Sequence, residues 1–257
     1  MAIYLLKKSY HLKDLQEVGF NDLWGDKGIF TTMWIFGRPP KILFFENHIQ
    51  NLIKSLNIYG IKRRFLKKDI LRVINNNITK KKSYNHLLRI ALNKKIISIS
   101  LRKRIPTKLN FNLKLINLKR DKPQYKNLKY KKILSYLSKM DNSKSDIGLV
   151  YKKKILETGT SNLLFVKGNK VFTPIRDFYE GNTLKFFKTK DIKMIKKNIF
   201  INELNIYDEI ILIGSGKGVT SVKTINQIGW KRKNLKKFNI LSKHYYSAIK
   251  KCKQYKF

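Results

Sequence analysis

Residues 155–163 read Ile-Leu-Glu-Thr-Gly-Thr-Ser-Asn-Leu, and this stretch is the most informative local pattern in the chain. It consists of an apolar run, one acidic residue, a turn of small residues and a second apolar run, which is typical of two short strands joined by a tight turn. Acidic residues are scarce, with 16 Asp and Glu in a chain of 257 residues. The sequence therefore favours a functional role for Glu157, with a solvated surface glutamate as the alternative.

The residues around this stretch predict further short strands. Gly168-Asn169 is a strong hairpin turn signal between two apolar runs. Farther on, an apolar strand runs directly into the glycine-rich segment Gly214–Gly218. The strands predicted in this half of the chain are 146–151, 154–156, 162–166, 171–174 and 208–213.

The rest of the chain mixes helices and strands. Apolar residues at helical spacing predict a helix at 44–59. Helices are also predicted at 130–140 and at 240–251. Alternating patterns predict two strands within 86–104 and one at 110–118. The polar stretch 120–127, which contains Pro123, is the best candidate for a domain boundary. We therefore expect a two-domain α/β (α+β) protein, with domains at 1–119 and 120–257.

The charge is extreme, because 57 Lys and Arg give a formal net charge of +41. The lysines are scattered through all predicted elements, which indicates compositional bias rather than a specific nucleic-acid surface. No run approaches the ~20 apolar residues of a membrane helix, and no secretory signal is visible. A single cysteine excludes an internal disulfide, so we expect a cytoplasmic protein. The four histidines are too far apart in sequence to predict a metal site.

Several segments in order along the chain resemble one enzyme family. They are 25–32 (Gly-Asp-Lys-Gly-Ile-Phe-Thr-Thr), 37–39, 46–49, 155–163, 172–174, 181–183, 203–204, 208–210 and 214–222. Together they are similar to the fold-type IV pyridoxal-phosphate enzymes, which include branched-chain and D-amino-acid aminotransferases and 4-amino-4-deoxychorismate lyases. The resemblance implies a small N-terminal α/β domain, a larger C-terminal domain with a barrel-like sheet, and a homodimer.

The resemblance also implies the residues that hold pyridoxal 5′-phosphate. The family places its Schiff-base lysine in a pattern like Lys-x-Leu-Asn-Tyr, and residues 126–130 read Lys-Asn-Leu-Lys-Tyr. Lys126 fits this pattern without a gap, whereas Lys129 is the rival and requires a deletion. Glu157 would face the ring nitrogen and keep it protonated.

The phosphate contacts implied by the family are only partly present. Asn182 and Thr183 match one contact segment, and Ser215 and Gly216 lie in a glycine-rich turn whose N–H groups could cradle an anion. The family's phosphate-binding arginine is replaced by Asn51, which predicts weaker cofactor binding. Lys54, one helical turn farther on, offers only a point charge. A degenerate, non-catalytic family member is therefore an alternative.

The residues after Gly28 resemble the lyase branch of the family. Phe30 is expected to contact substrate and Thr31 to be catalytic, while Arg102 and Arg104 are candidates to bind the substrate's carboxylates. We expect a lyase that converts 4-amino-4-deoxychorismate to 4-aminobenzoate and pyruvate for folate synthesis. An aminotransferase for branched-chain or D-amino acids is the alternative. Either would act on a small anionic carboxylate substrate.

Overall fold

In the computed structural model, residues 3–190 and 192–256 are described, and they form two compact units. The first unit contains the described residues up to Arg104, the short segment Tyr125–Lys131 and the C-terminal residues from Lys251. The second unit contains Ile105–Gln124 and Lys132–Lys250. The division at 119/120 stays a prediction from the sequence.

The described part of the first unit is an antiparallel sheet of six strands with two helices. The sheet order is β2-β1-β6-β5-β3-β4. Its elements are β1 (Tyr4–His11), β2 (Glu17–Val18), β3 (Ile29–Gly37), β4 (Lys41–Ile42), α1 (Phe45–Ile58), α2 (Leu66–Asn77), β5 (Tyr84–Leu92) and β6 (Ile96–Lys103).

One face of this sheet and both helices share a hydrophobic core. Helical spacing in α1 places Ile49, Leu52 and Leu56 on its buried face. They belong to the same core cluster as alternate residues of β3, such as Met33 and Ile35. Full burial of each such side chain contributes about 1.5–3 kcal/mol, so this core holds the helices on the sheet.

The second unit is built on a mixed sheet. Among the described residues, it has ten strands in the order β12-β11-β10-β14-β15-β7-β8-β9-β13, with β16 paired to β15. The strands are β7 (Phe111–Asn117), β8 (Ser145–Tyr151), β9 (Lys154–Thr158), β10 (Asn162–Lys167), β11 (Lys170–Pro174), β12 (Met194–Lys197), β13 (Ile199–Phe200), β14 (Glu209–Gly214), β15 (Gly218–Ile225) and β16 (Trp230–Lys231). The helices are α3 (Lys131–Leu137), α4 (Asn182–Lys188) and α5 (Lys236–Lys250), with short 3₁₀ turns at Ile201–Ile206 and Asn226–Ile228.

The core of the second unit contains several large aromatic side chains. Phe111, Phe165, Tyr207 and Trp230 are buried in one cluster. The indole N–H of Trp230 donates to the backbone oxygen of Tyr207 at 3.1 Å, so its polar group is satisfied inside the core.

These two sheets confirm the predicted α/β class. The strand pairings of the described part of the second unit form an open path rather than a closed barrel. None of the helices described is long and apolar enough to cross a membrane.

Candidate active site

Glu157 lies at the end of β9, buried in the second unit beside an arginine. The Nε of Arg120 donates to one carboxylate oxygen at 2.6 Å, and the backbone N–H of Tyr179 donates to the other at 3.3 Å. A second guanidinium nitrogen of Arg120 donates to the Pro123 oxygen at 2.6 Å. A guanidinium this close stabilises the charged carboxylate and fixes its orientation. Glu157 is therefore a buried carboxylate whose two oxygens both have hydrogen-bond partners.

Asn162, at the start of β10, connects the Glu157 turn to the segment before α4. Its side-chain amide donates to the Tyr179 oxygen, and its side-chain oxygen accepts from the Gly181 N–H at 3.0 Å. A Cβ at Gly181 would lie 2.9 Å from that oxygen, and glycine allows this close approach without a shift of Asn162. The sequence run that predicted a turn thus also positions α4.

The residues expected to contact phosphate lie at two places in the second unit. Asn182 and Thr183 are buried at the start of α4, and Ser215 and Gly216 are half-buried in the turn between β14 and β15. The Thr183 hydroxyl is buried and has no hydrogen-bond partner among the described residues. A buried hydroxyl without a partner is costly, which suits a site that an acceptor group fills.

In the first unit, the segment that carries Lys126 is hydrogen-bonded along the start of β3. The Phe30 N–H donates to the Lys126 oxygen, and the Leu128 N–H donates to the Gly28 oxygen, each at 2.9 Å. The Lys126 side chain is half-buried with its ammonium 5.3 Å from the centre of the Phe30 ring, whereas Lys129 is exposed. Of the two candidate lysines, Lys126 has the enclosed position.

Thr31 forms a buried pair with a histidine on α1. Its hydroxyl lies 2.7 Å from Nδ1 of His48. Burial, together with the positive charge of Lys126, lowers the pKa of His48 from 6.5 to about 3. His48 is therefore neutral at physiological pH and can orient the Thr31 hydroxyl without adding a charge.

Phe30 lies at the centre of an aromatic and cationic cluster in the first unit. Its ring packs against Trp24 at 4.8 Å and Tyr130 at 5.4 Å between centroids. The guanidinium of Arg89, on β5, lies 3.8 Å from the Trp24 ring centre and 5.4 Å from that of Phe30. Two cations, Arg89 and Lys126, thus flank the ring expected to contact substrate.

The remaining predicted residues are not part of that cluster. Arg102 is exposed near the end of β6, and Arg104 stacks over Trp34 at 4.1 Å. Asn51 is half-buried on α1, and Lys54 is exposed.

Three residues of these arrangements are not predicted by the sequence: Arg120, His48 and Arg89. Arg120 lies in the polar boundary segment, where a single arginine among lysines gives little signal. His48 belongs to one of the family-like segments, but its partner Thr31 lies 17 residues away. A buried histidine beside a predicted catalytic threonine can be found only when the strand and helix are packed together.

Comparison with known proteins identifies the fold. A family model described as amino-transferase class IV matches residues 28–225. No curated protein sequence matches the chain. Among solved structures, a branched-chain aminotransferase from Thermoproteus uzoniensis has a TM-score of 0.73 at 15% identity, covering 95% of this chain and 93% of that one.

Two further solved structures have the same fold. A proposed 4-amino-4-deoxychorismate lyase from Legionella pneumophila has a TM-score of 0.73 at 17% identity, covering 92% of this chain and 98% of that one. A hypothetical aminotransferase from Mycobacterium tuberculosis, in its pyridoxal-phosphate-bound form, has a TM-score of 0.69 at 14% identity, with 95% and 99% covered.

Proposed function

Because this chain belongs to the class IV aminotransferases, a family of pyridoxal-phosphate-dependent enzymes, we propose that it is the lyase that converts 4-amino-4-deoxychorismate to 4-aminobenzoate and pyruvate. The observation that favours a lyase over an aminotransferase is the buried pair of Thr31 and His48. It places an oriented, uncharged hydroxyl directly after Phe30, in the segment that resembles the lyase branch.

The described residues fit the cofactor in three respects. Glu157 is a buried carboxylate with fixed orientation, which suits a protonated ring nitrogen. The buried Thr183 hydroxyl without a partner suits a phosphate oxygen. Lys126 is the enclosed one of the two candidate lysines. Ser215, Gly216 and Asn182 are further candidates to bind the phosphate. Asn51 in place of arginine predicts a lower affinity for the cofactor.

When bound, the cofactor supplies an electron sink for the bonding electrons released at the substrate's amine-bearing carbon. We assign Lys126 two tasks: its side-chain amine would hold the cofactor, and, once the substrate's amine has displaced it, the freed amine would remove the proton from that carbon. Thr31, oriented by His48, gives a proton to the leaving pyruvate group. Loss of this group makes the substrate ring aromatic, and no keto acid is consumed.

The substrate's carboxylates require cationic partners. Arg89 and Lys126 beside Phe30, together with the predicted Arg102 and Arg104, supply positive charge in the first unit. We extend the proposal to a cytoplasmic homodimer that acts in folate synthesis, as the resemblance suggests. The oligomeric state is measurable by light scattering after gel filtration.

In the deciding experiment, purified protein is incubated with pyridoxal 5′-phosphate and 4-amino-4-deoxychorismate, and the products are measured. A lyase forms equal amounts of 4-aminobenzoate and pyruvate without a keto acid. An aminotransferase instead consumes 2-oxoglutarate with a branched-chain or D-amino acid, and a non-catalytic member does neither. Borohydride reduction followed by peptide mapping should place the cofactor on Lys126. Lys129→Ala is the matched control, which should keep the adduct that Lys126→Ala loses.

A further inference from the structure

A buried acid–lysine pair lies beneath the turns that carry the proposed cofactor contacts in the second unit. Asp146, on β8, is fully buried, and the Lys217 side chain is only 9% exposed. The Lys217 ammonium lies 3.9 Å from Oδ2 of Asp146. Lysine is almost never buried to this degree unless it is paired, because an isolated buried charge is costly. No step of the proposed reaction uses either residue.

The Asp146 carboxylate fastens the turn that follows Glu157. Its Oδ2 accepts from the hydroxyls of Thr158 at 3.0 Å and Thr160 at 2.6 Å. Its Oδ1 accepts from the Ile147 N–H at 2.8 Å. Thr158 is buried, and its hydroxyl supplies one of these donors.

Lys217 holds the turn that contains Ser215 and Gly216, because its backbone is part of that turn while its side chain points inward. The ammonium donates to the Asn142 oxygen at 3.0 Å and lies 4.8 Å from the centre of the Phe111 ring. A charge-assisted hydrogen bond and a cation–π contact in a buried position hold the side chain in one place. The turn above it is thereby held as well.

The Glu157 turn lies close both to Gly214, which begins the second turn, and to the Asp146 carboxylate. A Cβ at Gly214 would lie 2.9 Å from the Ser161 hydroxyl, and a Cβ at Gly159 would lie 3.1 Å from Oδ1 of Asp146. Glycine at both positions allows this close approach. A shift of one turn must consequently displace the other, since packed interiors have little empty space.

We propose that Asp146 and Lys217 are positioning residues that hold the Glu157 turn and the Ser215–Gly216 turn in one fixed arrangement. This inference rests on the proposed function, in which the first turn orients the ring-facing carboxylate and the second presents N–H groups to the phosphate. Fixing both turns before binding reduces the ordering cost that the cofactor must overcome.

The first test measures amide hydrogen exchange of the full chain without cofactor. Thr160→Ala removes one donor from the Glu157 turn, and it should raise exchange about tenfold in the opposite turn, at residues 215–218. Lys217→Met should do the same at residues 158–161, while Lys217→Arg keeps the charge and restores protection. Lys233→Met, which breaks the exposed pair with Asp208, is the matched control and should leave both turns unchanged.

The second test titrates the same variants with pyridoxal 5′-phosphate, followed by absorbance. Thr160→Ala and Lys217→Met should each weaken binding about tenfold. The binding free energy lost by the double variant should be smaller than the sum of the losses of the two single variants. If Lys217→Met does not fold, Asp146→Asn combined with Lys217→Met removes both charges together. Unchanged exchange in the opposite turn in Thr160→Ala overturns the inference. If the wild type does not bind the cofactor, the proposed function fails, and the exchange result still decides whether the pair couples the turns.

Discussion

Arg120 and Lys119 are neighbours in sequence, and each forms an ion pair with an acidic residue, but only one pair is buried. The Arg120–Glu157 side chains are 3% and 7% exposed, whereas those of Lys119 and Asp177 are 32% and 31% exposed. Removing one partner of a buried pair leaves an uncompensated charge, while an exposed pair contributes little.

Arg120→Met should therefore lower the free energy of unfolding by about 3–5 kcal/mol. The neighbouring Lys119→Met should change it by no more than about 1 kcal/mol. Urea unfolding followed by circular dichroism measures both. Equal effects of the two substitutions would show that burial does not distinguish the pairs.

His48 should make the protein sensitive to acid. Its folded pKa of about 3 lies below the unfolded value of 6.5, so the unfolded chain takes up the proton first as the pH falls. The stability contributed by the neutral side chain is present above pH 6.5 and is lost progressively towards pH 3. Between about pH 7 and about pH 5, this loss amounts to about 2 kcal/mol.

His48→Gln keeps a hydrogen-bonding side chain but cannot take up this proton. Its free energy of unfolding should depend less on pH over that interval, by about 2 kcal/mol, than that of the wild type. Denaturant titrations at several pH values provide the comparison. Asn47→Gln, at an exposed position next to His48 on α1, is the control and should follow the wild type.

Among the elements, the junction between β3 and the Lys126 segment depends on Gly28. A Cβ there would lie 2.2 Å from the Leu92 oxygen and 2.7 Å from a Leu128 methyl group. Because a backbone atom is the obstacle, the strand or the segment must move. Gly28→Ala should destabilise the protein by about 1–3 kcal/mol and reduce the cofactor adduct on Lys126. Gly19→Ala, where a Cβ meets nothing within 4 Å, should change neither the melting temperature nor the adduct yield.

Helix α1 offers a direct test of the missing phosphate arginine. Asn51→Arg restores a guanidinium at the position that the family pattern assigns to it. Cofactor affinity should rise about tenfold, since charge-assisted bidentate pairs are stronger than neutral hydrogen bonds. The control is Lys54→Arg, at the exposed position one turn farther on. An absorbance titration in which Asn51→Arg binds no better than the wild type would show that residue 51 does not contact the phosphate.

The sequence predicts a helix or strand best where apolar residues recur at regular intervals. The predicted helix at 44–59 differs from α1 by one residue at each end, because its apolar face is regular. In contrast, α5 begins at Lys236, four residues before the prediction. Glu209 on β14 accepts from the N–H groups of Lys237 and Phe238, and a capping partner 28 residues away cannot be seen from local sequence.

The same distinction applies to the candidate site. Glu157 could be singled out because acidic residues are scarce and a turn follows it. Its partner Arg120 lies 37 residues away in the chain, and the Asp146–Lys217 pair spans 71 positions. Such partners follow from packing of the sheets rather than from any local pattern.

The net charge of +41 predicts that the protein as a whole is attracted to any polyanion. Because the lysines are scattered, we expect no sequence preference. Binding to labelled duplex DNA, measured by anisotropy, should weaken by at least about a hundredfold between about 50 mM and about 200 mM salt. Binding that persists at the higher salt concentration for one sequence alone would indicate a specific nucleic-acid site.

The three tryptophans are divided between the two units, since Trp24 and Trp34 belong to the first and Trp230 to the second. Trp230 is buried with its indole N–H bonded, while Trp24 lies against Arg89 and Tyr130. The molecule thus carries its own fluorescent reporters. With Trp24 and Trp34 changed to phenylalanine, the remaining emission would come from the second unit alone, so its melting could be followed separately without an added dye.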